Sequence, residues 1–166
     1  MLVWFVGSVS LAVWLVFRDD RFDYRVLALG ALAPDIVDGI AGGTGVAHSI
    51  TASVVVLAAV MALTVGKRPA RRRWLALPIG MFLHLVVDGV FADTEVFWWP
   101  FAGFALDGGP LPSIERGWWN IALEVLGAAM LAFLWRTHRL GDPTQRALLV
   151  REGRLVESSP PEVGTC

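Results

Sequence analysis

Cysteine is nearly missing from this chain of 166 residues; the one present is Cys166. A single thiol excludes an intrachain disulfide and a cysteine-built metal cluster. Tyrosine also occurs once, although Trp and Phe number eight and nine. Charge is sparse: Asp, Glu, Lys and Arg make up 17% of the residues, against about 25% in an average soluble domain. The hydrophobic share is 55% and the mean hydropathy is +0.59. One domain of this length cannot hide that much apolar surface, which argues against a water-soluble enzyme, and the hydrophobicity argues against a disordered chain. The formal net charge of −1 gives no reason to expect nucleic acid as a partner. Internal repeats and low-complexity runs are absent from the sequence.

Long apolar runs dominate instead, over 1–17, 26–41, 49–66, 74–91 and 117–135. A membrane-spanning helix needs about 17–25 residues. The first run has no basic residue ahead of it and no small-residue cleavage site behind it. It is therefore expected as a retained helix, with an uncleaved anchor as the rival reading. The run 26–41 is slightly short, carries Asp35 and Asp38, and is followed by Gly42, Gly43 and Gly45. A short, broken or partly re-entrant helix is expected there. All 14 Lys and Arg residues except Arg116 fall just after the first, third and fifth runs. If every run crosses, these clusters share one face, so the positive-inside rule predicts an outside N-terminus and a cytoplasmic C-terminus. The predicted fold is all-α and polytopic, with about five transmembrane segments. Residues 1–136 form the membrane domain and 137–166 a polar cytoplasmic tail. Within the tail, alternation around Gly153 suggests a small hairpin over 147–157, and a disordered end is expected from Ser158. Trp98, Trp99, Trp118 and Trp119 would then mark the outer interface, and Trp74 and Trp135 the inner one.

Ionisable groups inside spans cost roughly 2.5–3.5 kcal/mol each on insertion scales and usually mark a site. Here they are Asp35, Asp38, His84, Asp88 and Glu124, with His48 at the start of the third span. The predicted topology places all six in the outer half of the bilayer; Glu124, for example, lies about 9 Å below the outer end of its helix. His84 and Asp88 are four residues apart and share a helix face, as do Asp35 and Asp38, three apart. Two carboxylates on one face repel unless a cation or proton lies between them. Imidazoles and carboxylates together suit zinc foremost, or manganese or iron. The expected metal ligands are Asp35, Asp38, His48, His84 and Asp88. A divalent ion there would lower the pKa of water, with Asp38 or Glu124 as the catalytic carboxylate taking the proton. Each feature also has a plainer role: His84–Asp88 as a buried hydrogen-bonded pair, Asp35 and Asp38 as caps of a broken helix, Ser49 as an N-cap, Glu124 as a protonated buried acid.

The segments Pro34-Asp35-Ile-Val-Asp38, Ala47-His48-Ser49, His84-Leu-Val-Val-Asp88 and Trp98-Trp99-Pro100-Phe101 occur in that order. In this the chain resembles the YdjM-like family of bacterial and archaeal inner-membrane metal-dependent hydrolases, also called LexA-binding. The likeness covers 27–101. It departs from many members at Val37, where they carry a second Asp, and in the run Gly43-Thr-Gly-Val-Ala-His48, which lacks a first His and an Arg. The resemblance implies a multi-pass inner-membrane protein with Asp35, Asp38, His48, His84 and Asp88 as its polar site. The expected function is a membrane-embedded hydrolase acting on an amphiphilic or lipid-linked ester or phosphoester near the outer leaflet, with loop 93–116 as an apolar entrance. The alternative is a scaffold whose metal or polar network is structural and whose tail docks a protein partner. A proton-coupled carrier fits less well, because the inner halves of the spans carry no ionisable group.

Overall fold

A computed structural model describes residues 1–19, 21–104 and 116–156. The described residues are helical, with no strand among them. Helix α1 spans Leu2–Phe17, α2 Tyr24–Ala41, α3 Ile50–Leu63, α4 Arg68–Trp74, α5 Ala76–Asp88, α6 Thr94–Phe97, α7 Trp119–Thr137 and α8 Pro143–Glu152. Two 3-10 turns, Val46–His48 and Val90–Ala92, follow α2 and α5. One described helix, α7, is long and apolar enough to cross a membrane, while α1 and α3 are shorter apolar helices.

Capping chemistry sets most of these boundaries. Asp23 accepts from the backbone N–H groups of Arg25 and Val26 and starts α2, and the Ser49 hydroxyl accepts from Ala52 N–H at 3.1 Å and starts α3. Such caps satisfy donors that a helix leaves unpaired at its first turn. Helix α5 stops at Gly89, whose φ of 77° lies in the left-handed region. That stop and the junction between α4 and α5 at Leu75 divide the expected 74–91 segment.

Helix α2 packs most extensively on α5, and α1 on α7, with α1 also touching α2 and α5, and α3 lying against α5. Glycines make the two main crossings close. A Cβ on Gly80 would sit 2.8 Å from Ala31 N and 3.0 Å from the Gly30 carbonyl carbon. A Cβ on Gly127 would sit 2.6 Å from Trp4 N. Small residues at such contacts let helix backbones approach closely. The core runs from Val9 and Val13 of α1 through Val26, Leu27 and Ala31 of α2 to Ala76 of α5.

Two expectations are corrected here. The second helix is neither short nor broken: α2 runs through Pro34 for 18 residues, and the glycines lie beyond its end, with Gly42 at φ 100° as its cap. The hairpin over 147–157 gives way to α8. Asp142 accepts from Thr144 N–H at 2.7 Å and Pro143 fills the first turn, a combination that nucleates helix. Gly153, at φ 76°, ends that helix instead of turning a hairpin. Helix α8 docks on the start of α2: Tyr24 N–H donates to Gly153 O at 2.8 Å, and Arg25 Nη1 donates to Val150 O at 2.7 Å. The expected disordered end, and 105–115 of the expected entrance loop, lie outside the described residues.

Candidate metal centre

Three side chains converge from α2, the 3-10 turn after it, and α5. Ligand atoms of Asp35, His48 and His84 all lie within 4.8 Å of one another. Asp35 Oδ1 is 3.4 Å from His48 Nε2 and 3.7 Å from His84 Nε2. These same three atoms are buried and make no hydrogen bond. Buried polar atoms are nearly always paired, so three orphans facing one another call for a missing partner. An ion held at about 2.0–2.1 Å by each atom in tetrahedral geometry sets its ligands about 3.3–3.5 Å apart, close to the 3.4 and 3.7 Å between Asp35 and the two imidazoles.

The other ring nitrogens fix how the two imidazoles are oriented. His84 Nδ1 lies 2.7 Å from Ala31 O. A carbonyl only accepts, so Nδ1 carries the proton and the neutral ring presents its Nε2 lone pair. His48 Nδ1 lies 2.7 Å from Asp38 Oδ2 and donates to that carboxylate, which orients the ring so that Nε2 faces Asp35. Metal-binding histidines are commonly oriented by such partners behind the ring. Both imidazoles are fully buried, and the Phe5 ring covers His84 at a centroid distance of 4.0 Å. The Asp35 side chain is the most open of the three, at 14% exposure.

Local sequence builds this geometry. Asp38, at the end of α2, accepts from Gly45 N–H at 2.8 Å, Ala47 N–H at 3.2 Å and His48 N–H at 3.1 Å. The carboxylate thereby folds the glycine-rich loop back onto α2 and delivers His48 to Asp35. A Cβ on Gly45 would sit 3.1 Å from Asp38 Oδ1, so a side chain there would press on the carboxylate.

Asp38, Asp88 and Glu124 lie outside the converging atoms. Asp38 stands behind His48 with its lone pairs occupied by four N–H groups. Asp88 shares its α5 face with His84, but its Oδ1 is 2.9 Å from Arg116 Nη1. Arg116 Nη2 also donates to the Asp88 carbonyl. Glu124 accepts from Val3 N–H at 3.1 Å and pairs with the Met1 ammonium at 3.3 Å, joining α7 to the start of α1. Sequence reasoning missed Phe5, the Ala31 carbonyl and Gly45. Arg116 had left a signal, as the lone basic residue on its predicted side of the membrane. Comparison with family models, with curated proteins and with solved structures finds no match to the chain.

Proposed function

We propose that the chain is a multi-pass membrane protein whose Asp35, His48 and His84 hold a zinc ion for hydrolysis of an amphiphilic ester or phosphoester. The convergence of three buried, unpaired ligand atoms carries this reading. Two histidines and one carboxylate are a donor set that leaves a fourth position for water or substrate. Zinc, when bound, supplies Lewis acidity and lowers the pKa of water near neutrality. The chain's own residues do the positioning. Asp38 and Ala31 O fix the two rings, Phe5 excludes water from the back of His84, and Asp35 faces the accessible side. Asp38 and Glu124 are both engaged elsewhere, so the second oxygen of Asp35 is the base that the arrangement offers.

Apolar exposure supports five spans. Besides the exposed rows on α7, Val16 is 75% exposed on α1, Ile40 84% on α2 and Leu63 78% on α3. Patches of this extent are costly in water. The positive-inside pattern and the shared motif order with YdjM-like proteins point the same way, toward an inner-membrane location with the centre in the outer half.

The test is metal content by mass spectrometry on the full chain in detergent, beside a His48→Ala, His84→Ala double variant, followed by hydrolysis assays on lipid phosphoesters and esters. Near-equimolar zinc in the wild type, lost in the variant, together with metal-dependent turnover, is the expected result. No metal after zinc is restored to a folded sample would sink the reading. Complete burial of both imidazoles favours a second reading, a structural metal in a scaffold, for which zinc is retained and turnover is absent.

A further inference from the structure

A second concave site lies where the loop after α1, helix α4 and the chain just past α8 meet. It is an open groove of about 440 Å³ lined by Arg21, Arg68, Arg72, Arg73 and Arg154, with Asp23, Glu152 and Pro69 completing the wall. Chain connectivity alone does not gather these arginines. Docking of α8 on α2 through Gly153 O and Val150 O brings in Arg154. Arg73 Nε is held 3.1 Å from Asp23 Oδ2, and Arg72 pairs with Asp19 across from α1.

The two lining carboxylates are already committed. Asp23 caps α2 and binds both Arg25 and Arg73, and Glu152 lies 3.2 Å from Arg154. Arg21 and Arg68 are exposed and form no ion pair among the described residues. Among the described residues, five guanidinium groups stand against three carboxylates, Asp19, Asp23 and Glu152, which leaves net positive charge at Arg21 and Arg68 in a concavity, a setting that favours a counter-anion. Guanidinium forks match phosphate oxygens bidentately, and a cluster of them suits a ligand with more than one phosphate.

We infer that this arginine-lined groove binds a ligand carrying two phosphate groups. The site borders apolar surface, with Val65 74% and Trp74 44% exposed beside α4, and in the proposed topology it faces the cytoplasmic leaflet. An anionic lipid headgroup with two phosphates is therefore one source of the ligand, and a soluble diphosphate compound the other. The inference is independent of the metal centre.

Native mass spectrometry of the full chain in detergent, offered diphosphatidylglycerol and phosphatidylcholine together, reads lipid preference. Calorimetric titration with inorganic pyrophosphate, with and without the lipid, reads the soluble form. The wild type is expected to select diphosphatidylglycerol and to bind pyrophosphate in competition with it. Selection of the lipid alone assigns the site to the membrane, and pyrophosphate binding alone assigns it to a soluble ligand. Arg21→Gln with Arg68→Gln should weaken binding about tenfold or more at an unchanged melting temperature, and Arg146→Gln, outside the cavity, should not. Arg21→Lys with Arg68→Lys should fall between them, since charge is kept and the forks are lost. Equal retention of both lipids with no pyrophosphate binding overturns the inference. So does full affinity in the folded Arg21→Gln, Arg68→Gln protein.

Discussion

Replacing Asp38 by asparagine separates a carboxylate that orients a ligand from one that binds metal itself. In the native site Oδ2 accepts from Gly45 N–H, His48 N–H and His48 Nδ1, and Oδ1 accepts from Ala47 N–H. An asparagine has one acceptor and one NH₂ donor in the same space. With the amide oxygen in the Oδ2 position, the NH₂ opposes Ala47 N–H and one buried donor goes unmet. With the amide reversed, the NH₂ opposes two backbone donors and forces the proton of His48 from Nδ1 to Nε2, abolishing the lone pair that faces Asp35. The first placement is the cheaper, at about 1–3 kcal/mol of stability for the unmet donor. His48 then leans on a neutral oxygen where it had a carboxylate, and losses of about 10–100-fold in metal affinity follow from such changes, or about 1.4–2.7 kcal/mol. Competition with a chromophoric chelator gives the zinc affinity, and thermal melts of apo and zinc-loaded protein give the stability. Zinc affinity within about twofold of wild type, or about 0.4 kcal/mol, would refute the orienting role of Asp38.

Other substitutions probe the neighbouring groups. Asp88→Asn and Glu124→Gln should each keep full zinc stoichiometry in the same metal analysis, because Asp88 serves Arg116 and Glu124 serves the start of α1. Gly80→Val should cost about 1–3 kcal/mol or more by overpacking α2 against α5, and should lower zinc affinity too, since the two helices carry Asp35 and His84; thermal melts and chelator competition check both. Asp23 gives a pH dependence. Burial opposes its ionisation, but hydrogen bonds from Arg25 and the Val26 N–H outweigh this and hold its carboxyl below the ordinary 3.8. A carboxyl with a depressed folded-state pKa contributes stability above its unfolded value, and that contribution is lost as pH falls through the folded value. The melting temperature of wild type should therefore drop more steeply below about pH 4 than that of Asp23→Asn.

Some of this molecule can be read along the chain. Charge-poor runs mark α1, α3 and α7, because burying or embedding a long apolar segment is dictated by composition. The convergence of Asp35, His48 and His84 was legible as polar residues that helical geometry and membrane topology place at one depth. The ligand set was not. Spacing puts Asp88 on the face of His84 and Asp38 on the face of Asp35, but it cannot tell which lone pairs are taken by competing donors. Arg116 forms an ion pair with Asp88, whose carboxylate oxygens make no hydrogen bond, and the Gly45–His48 loop claims Asp38. The tail misled for a local reason: alternation near Gly153 mimics a hairpin, while Asp142 and Pro143 start a helix first.

The sequence by itself determined the helical class, the apolar character of its surfaces and which few ionisable groups lie within apolar helices, since those follow from residue type and helical period. Tertiary structure alone decided which of those groups meet. The glycine crossing of α2 and α5 brings the Ala31 carbonyl to His84, and the Asp38-bound loop brings His48 to Asp35. The docking of α8 on α2 likewise gathers arginines that lie more than a hundred residues apart in the chain. Each of these depends on backbone approach between distant segments, which no local pattern encodes.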